Sequence, residues 1–469
     1  MFSSSFLRSR VALAAIVAAM AVMHAQQATD PTVALLVDLI RIDTSNPPGH
    51  ESAIAEFLAP KFKALGFEVD VIPTPTAGKA ILVARLKGDG SKRPLLLTSH
   101  ADVVGVEREK WTVDPFAGLI RGGYVFGRGA IDFKGGMAVF VRVAMMLAEN
   151  KVPLARDVIV LAEADEEGGL AYSTPWLAAN HWAKIDCEFA LNEGGWIIKG
   201  RDGRVQYVSI STADKMSLPI AMTARGTSTH SSMPRPDSAI FALSRALAKL
   251  ADHETDLRLL PSTRQFFQTL AKTSGEPMAT QFRNLTGSDP ALVRQADKEI
   301  SKDPLLHALM RNTIAPVIMN AGFRSNVIPG SAEVTVNVRL IPGTDPMDMV
   351  GEIQRVIADP AIDVRLAGTS SVPPGLAPSS EDTDLFRALQ QQARRQFPGA
   401  EVTPYLFQAA TDAGPWRSRG IPVYGIYPYP IDAEDLSRMH GNDERVGVES
   451  LKQGTEMIYR TLVDVASRR

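Results

Sequence analysis

The sequence has little that would build a disulfide-linked or nucleic-acid-binding protein. It contains one cysteine, Cys187, so no disulfide can form within the chain, and we expect a buried, unreactive thiol. Its 50 Lys and Arg nearly balance 52 Asp and Glu, for a formal net charge of -2. No run of basic residues forms a patch, which excludes a strongly basic nucleic-acid binder. The chain also lacks internal repeats and low-complexity tracts, which disfavours a structural or adhesive role.

Residues 1–25 have a composition of their own. Arg8 and Arg10 precede the short apolar stretch VALAAIVAAMAVMHA, which ends at Ala25 before polar residues. This order predicts a cleaved secretory signal peptide and therefore a secreted or periplasmic protein. The alternative is an N-terminal membrane anchor, but the apolar run is shorter than the roughly 20 residues that span a bilayer. We expect no membrane span after cleavage.

The rest of the chain is long enough for two domains. The 469 residues are 45% hydrophobic and 22% charged, which is typical of a globular protein with a large core. Helical patterns such as GGMAVFVRVAMMLAEN alternate with continuous apolar runs such as RPLLLTSH and RDVIVLAEA. Such runs belong to a sheet that helices cover on both faces. We therefore predict a three-layer α/β domain over 30–212 and 369–469.

The middle of the chain, 213–368, shows a different pattern. AEVTVNVRLIP alternates apolar and polar residues, as in a sheet with one open face, and PMDMVGEIQRVIAD is an amphipathic helix. These features predict a smaller α+β domain inserted into the first. The Pro- and Ser-rich stretch GTSSVPPGLAPSSEDT would then link back to the first domain.

Histidines and carboxylates stand at the ends of predicted strands or in loops of the first domain. They are His100 and Asp102 in SHADVV, Asp132 in GRGAIDFKGG, Glu166 and Glu167 in EADEEGG, Glu193 in LNEGG, and His440 in MHGNDERV. Each alone has an ordinary explanation, such as a solvated strand end, a turn, an acidic loop or a surface histidine. Together they are expected at one edge of the sheet, where α/β proteins place their sites. Such donors without cysteine suit zinc or a similar divalent ion in a hydrolytic site.

These segments, in this order, resemble the co-catalytic zinc exopeptidase and amidohydrolase family. Its members include carboxypeptidase G, acetylornithine deacetylase, succinyl-diaminopimelate desuccinylase, aminoacylase and carnosinase-type dipeptidases. The resemblance extends over nearly the whole chain after the predicted signal peptide. It implies a zinc-exopeptidase-like catalytic domain with an inserted lid or dimerisation domain, and a homodimer formed through that insert.

The resemblance also implies roles for individual residues. The implied metal ligands are His100 and Glu193 for one zinc ion, Glu167 and His440 for the second, and Asp132 as the bridge between them. Glu166 would be the general base, and Asp102 would orient His100. In the insert, His230 would stabilise the oxyanion in the partner subunit's active site, and Asn326 and Arg339 would contact substrate. The residues alone indicate only a turn histidine at 230 and a strand-edge charge at 339.

The expected function is metal-dependent hydrolysis of an amide bond in small peptides or N-acyl amino acids. The leading hypothesis is a carboxypeptidase or dipeptidase, and the alternative is an N-acyl amino acid deacylase. A non-catalytic binding protein on the same scaffold is a remote alternative. Two divalent ions are expected, zinc first, with cobalt or manganese as alternatives. Gly414, in QAATDAGPW, stands where many relatives have Arg or a similar residue, so no single relative defines the substrate.

Overall fold

The computed structural model describes residues 30–169, 171–367 and 376–468. The predicted signal peptide lies outside the described residues, and so does part of the predicted linker, 368–375. In the described ranges no helix is long and apolar enough to cross a membrane.

The helices are α1 (Pro31–Arg41), α2 (Glu51–Ala64), α3 (Lys134–Glu149), α4 (Thr174–Ile185), α5 (Ala239–Ala251), α6 (Pro261–Thr273), α7 (Met278–Leu285), α8 (Pro290–Ile300), α9 (Pro304–Met310), α10 (Pro346–Ile357), α11 (Asp384–Gln396), α12 (Gly414–Arg417), α13 (Ala433–Leu436) and α14 (Val448–Ala466). The strands are β1 (Glu68–Pro73), β2 (Ala80–Leu86), β3 (Leu95–His100), β4 (Leu119–Arg121), β5 (Tyr124–Phe126), β6 (Val158–Glu163), β7 (Phe189–Asn192), β8 (Ile197–Lys199), β9 (Val205–Asp214), β10 (Met216–Arg225), β11 (Thr229–His230), β12 (Thr313–Ala321), β13 (Val327–Ile328), β14 (Ser331–Leu340), β15 (Ile362–Leu366), β16 (Glu401–Phe407), β17 (Val423–Gly425), β18 (Pro430–Ile431) and β19 (Arg445–Gly447).

The chain forms two compact units. The first runs up to Val208 and continues in Asp382–Ala400 and Ile426–Arg469; the second comprises Ser209–Glu381 and Glu401–Gly425. The predicted insert, 213–368, falls within the second unit in sequence. That unit also includes Glu401–Gly425, a stretch that the sequence pattern places in the first domain. The predicted domain boundaries therefore stay a prediction.

A mixed sheet with the order β1-β2-β6-β3-β7 forms the centre of the first unit. β3 lies parallel to both β6 and β7, and every residue of these three strands is buried. Burial on both faces explains their continuous apolar sequences. α3 packs against β3 and β6, and α2 packs against β1 and β2. The predicted α/β class is confirmed.

The topology of this sheet explains why polar loops meet at one edge. β3 ends at His100, β6 ends at Glu163 shortly before the Glu166–Glu167 pair, and β7 ends at Asn192 next to Glu193. Neighbouring parallel strands have their carboxyl ends on the same side of a sheet. A three-stranded sheet, β19-β5-β4, adds the other loops, because β5 precedes Asp132 and β19 follows His440.

The second unit contains an antiparallel sheet with the order β12-β14-β10-β15. Burial alternates along β14, as its sequence predicts, and α5 packs against β10 and β14. Apolar residues of β10, β14, α5 and α10 form one core cluster, which includes Ile220, Leu243, Val336 and Ile353. The predicted α+β character of this region is confirmed.

Candidate metal centre

His100 is the last residue of β3 and is only 2% exposed. Its Nδ1 lies 3.0 Å from the main-chain oxygen of Asp102 and 3.7 Å from the Asp102 carboxylate. Its Nε2 lies 3.1 Å from Asp132 Oδ1 and 3.7 Å from Glu193 Oε2. Asp102 therefore orients the ring chiefly through its carbonyl group, and Nε2 faces the two predicted carboxylate ligands.

The Asp102 carboxylate binds the neighbouring Glu166–Glu167 loop. It accepts hydrogen bonds from the main-chain N–H groups of Glu166 (3.2 Å) and Glu167 (3.0 Å), and from Asn46 Nδ2 (2.8 Å). Asn46 Nδ2 also lies 3.0 Å from Asp165 Oδ1. The buried Asp102 side chain thus holds the loop that carries the Glu166–Glu167 pair.

Asp132 lies between two histidines. Its Oδ1 faces His100, and its Oδ2 lies 3.0 Å from His440 Nε2. The same His440 nitrogen lies 2.9 Å from Glu167 Oε1. The two oxygens of one carboxylate thus point at two different sets of donors, which is the arrangement expected of a bridging ligand.

Glu193 follows β7 and is buried beside a tyrosine that the sequence pattern did not single out. The hydroxyl of Tyr427 donates to Glu193 Oε2 at 2.8 Å and lies 3.1 Å from Asp132 Oδ1. Tyr427 follows an apolar strand in IPVYGIYP, where its aromatic side chain resembles core material. Nothing in the sequence pattern distinguishes it from the neighbouring buried Tyr424 and Tyr429.

The candidate metal-ligand residues form three sets, and within each set the ligand atoms lie within 4.8 Å of one another. These are His100 with Asp132 and Glu193, Asp132 with Glu167 and His440, and His100 with Glu166 and Glu167. All these residues belong to the first unit, and Asp132 is shared by the first two sets. A cysteine-free set of His and carboxylate donors around one shared carboxylate fits a pair of divalent ions.

The charges of the site also fit cations. Burial and the adjacent charge of Asp132 raise the pKa of Glu193 to about 8. Hydrogen bonds to Asp132 and Glu167 raise the pKa of His440 to about 10. Burial opposes protonation of His100, yet the carboxylates around it raise its pKa well above the usual value. Without metal the site therefore holds protons where divalent ions would place positive charge.

Glu444 and Arg128 connect the loops that carry Asp132 and His440. Glu444 is fully buried and accepts from the Arg128 guanidinium at 2.7 Å and from the Asp132 main-chain N–H at 3.1 Å. Arg128 also donates to the main-chain oxygen of His440 at 3.2 Å. One ion pair thus connects the loops of two predicted ligands. Glu444 was not among the predicted site residues. The signal for it was its place in the same MHGNDERV motif as His440.

The remaining predicted site residues lie in the second unit. β11 and β13 pair so that His230 is opposite Val327, and the Ser231 N–H donates to the main-chain oxygen of Asn326 at 3.0 Å. His230 is exposed, and its Nδ1 lies 2.8 Å from Ser232 Oγ. Arg339 is half-buried in β14, opposite Ser217 of β10. The structure brings His230 close to Asn326, and their roles stay predictions.

Known proteins are similar to this chain in sequence and in fold. The model of peptidase family M20/M25/M40 matches residues 96–464. The chain belongs to this peptidase family. It is 32% identical to a probable carboxypeptidase S-like 2 of Dictyostelium discoideum, over 81% of this chain and 73% of that protein. It is 27% identical to the mouse N-fatty-acyl-amino acid synthase/hydrolase PM20D1, over 90% of this chain and 85% of that protein.

The fold agrees with that of a solved structure. The M20 family metallo-carboxypeptidase Sso-CP2 of Sulfolobus solfataricus superimposes with a TM-score of 0.70 at 17% identity, covering 93% of this chain and all of that one. The predicted family resemblance is confirmed. The chain is a hydrolase of this metallopeptidase family and has a centre suited to divalent metal ions.

Proposed function

We propose that the protein is a two-metal amidohydrolase that releases an amino acid with a free carboxylate from a short peptide or an N-acyl amino acid. The observation that carries the proposal is the Asp132 carboxylate, whose two oxygens face the two donor sets, with Glu166 beside them in a third. Such a centre serves hydrolysis, because the ions, when bound, acidify a water and polarise the scissile carbonyl.

In this proposal each side chain has one task. Glu166 takes a proton from the attacking water and passes it to the leaving amine. His230 of the partner subunit stabilises the developing oxyanion, and Arg339 binds the substrate carboxylate through its planar guanidinium. Asn326 contacts the substrate. Zinc is the proposed ion, with cobalt and manganese as alternatives, because all three accept nitrogen and carboxylate donors.

The test of the general base is Glu166→Gln, which keeps the size of the side chain and removes its basicity. We expect turnover to fall by a factor on the order of 10²–10⁴, while the bound metal per chain stays at the wild-type value. The measurement pairs hydrolysis rates with elemental analysis of the purified protein. Glu449→Gln, at an exposed position of α14, is the matched control and should keep full turnover. A Glu166 variant with wild-type turnover would remove Glu166 from this role.

The substrate is resolved by competition between two classes. The names of the relatives divide between carboxypeptidase and N-fatty-acyl-amino acid hydrolase, so the panel pairs dipeptides with N-acyl amino acids that share the same C-terminal residue. We propose higher kcat/KM for the peptides; higher values for the acyl series would establish the deacylase alternative. A metal chelator should abolish turnover of either class. Amide versions without the free carboxylate should be poor substrates.

We further propose that the chain forms a homodimer through the second unit. β12 lies at an edge of its sheet, and Val317, Ile318 and Met319 are each more than half exposed. An exposed apolar edge strand is a template for pairing with another strand, and a second copy offers the same edge. Ile318→Lys should give monomers by light scattering during gel filtration. Val71→Lys, on the edge strand β1 of the first unit, should leave the mass unchanged.

Export is proposed on the sequence of residues 1–25. Expression of the full chain in a bacterium, followed by fractionation, should place the protein outside the cytoplasm. The N-terminus of the mature protein should lie near residue 26. A full-length N-terminus in the membrane fraction would support the anchor alternative instead.

A further inference from the structure

Tyr427 is placed against both carboxylates of the first donor set. Its hydroxyl lies 2.8 Å from Glu193 Oε2 and 3.1 Å from Asp132 Oδ1, and these are the oxygens that face His100. The side chain is 1% exposed. A hydroxyl has one proton to donate, so the shorter contact identifies Glu193 as its main acceptor.

The ring of Tyr427 is held by the same loops that carry these ligands. It stacks on Trp196 with ring centroids 4.1 Å apart and planes 7° from parallel. It also meets Phe133 edge to face at 5.3 Å. The Tyr427 N–H donates to the main-chain oxygen of Gly195 at 2.6 Å. Because Phe133 follows Asp132 and Trp196 lies close after Glu193, the hydroxyl is fixed relative to both carboxylates.

We propose that Tyr427 is a positioning residue of the metal centre, which holds Glu193 at the distance from Asp132 that metal binding requires. When both are ionised, as metal binding requires, the two buried carboxylates repel each other, and a neutral donor between them reduces that repulsion without competing as a cation. The donor also fixes which Glu193 oxygen remains directed at His100 Nε2. Hydrogen bonds to metal ligands of this kind are worth about 10–100-fold in metal affinity. The inference rests on the proposed metal-dependent function.

The test is Tyr427→Phe, which removes the hydroxyl and keeps the ring on Trp196. Metal-free protein is titrated with Zn²⁺ in competition with a chromophoric chelator. We expect the affinity for one of the two Zn²⁺ ions to fall about 10–100-fold, and the visible spectrum of the Co²⁺-loaded protein to change. Tyr405→Phe is the matched control, since Tyr405 is equally buried and its hydroxyl donates to Gln408 at 2.9 Å. The control should bind both metals as the wild type does.

A double-mutant cycle with Glu193→Ala separates positioning from general loss of stability. If Tyr427 acts through Glu193, removing the hydroxyl from the Glu193→Ala protein should change the remaining Zn²⁺ affinity less than about twofold. Wild-type affinity and an unchanged cobalt spectrum in Tyr427→Phe would overturn the proposal. An equal loss of affinity in both backgrounds would also overturn it. Failure of the wild-type protein to bind metal would instead contradict the proposed function itself.

Discussion

Glu444 allows a quantitative test of how the ligand loops are held. Its buried carboxylate accepts from the Arg128 guanidinium and from three main-chain N–H groups between residues 129 and 132. Glu444→Ala would leave the Arg128 charge buried without its carboxylate, and the three N–H groups without their acceptor. Each loss is expensive inside a protein, because no water replaces the missing partner.

The magnitude follows from the ion pair. Removing one partner of a buried pair costs about 3–5 kcal/mol. At about 2–4 °C per kcal/mol, the conversion for a cooperative unit of roughly 150–250 residues, the melting temperature of the first unit in the metal-free protein should fall by roughly 6–20 °C. The three freed N–H groups are not added separately, because losses within one hydrogen-bonded network are not additive. Since the loop carries Asp132 and the Arg128 side chain contacts the His440 carbonyl, metal affinity should fall as well.

The assay is thermal unfolding of metal-free protein followed by circular dichroism and calorimetry. Glu449→Ala is the control, because its side chain is 72% exposed and its ion pair with Lys452 spans 3.8 Å. Exposed pairs contribute about 0–1 kcal/mol, so this variant should melt close to the wild type. Equal melting temperatures for the two alanine variants would refute the reasoning that Glu444 holds the loops.

Three further predictions concern protons and charge. Zn²⁺ binding to the metal-free protein at pH 7 should release protons, because the pKa of His440 is raised to about 10 and that of Glu193 to about 8. A pH indicator in weak buffer measures the release, and the absence of any release would contradict these pKa values. Burial lowers the pKa of Lys215 to about 7, so its contribution to stability grows as pH rises from 7 towards 10.5. In urea unfolding the stability of the wild type should therefore rise relative to that of Lys215→Met across that range, and a constant difference between the two proteins would contradict the lowered pKa. Burial raises the pKa of Glu51 to about 7, so the wild type should lose stability as the pH rises from 4.5 to 7. Glu51→Gln should lose less stability over the same rise in pH.

The sequence pattern predicted the sheet because the strands are buried on both faces. β3, β6 and β7 are continuous apolar runs, and each is followed by a polar loop, so both the strand type and the site edge could be inferred. The alternation in β14 likewise predicted a sheet with one open face. The unit to which Glu401–Gly425 belongs could not be inferred in this way, since a buried strand has the same composition in either unit.

The site residues divide in the same manner. Polar groups at strand ends and in glycine-rich loops stand out against their surroundings, and this predicted His100, Asp132, Glu166, Glu167, Glu193 and His440. Tyr427, Glu444 and Asn46 were not, because each acts through a partner that is distant in sequence. Glu444 is followed closely by β19, but the Arg128 that pairs with it lies more than three hundred residues earlier.

The sequence by itself determined the types of the elements and the chemical character of the centre, because burial patterns and donor types are local properties. Only the tertiary structure decided that Asp132 turns its two oxygens to His100 and His440, and that His100 Nδ1 lies nearer the carbonyl of Asp102 than its carboxylate. It likewise decided that a tyrosine hydroxyl lies against Glu193. These distances depend on how loops far apart in the chain pack together, and no local pattern encodes that packing.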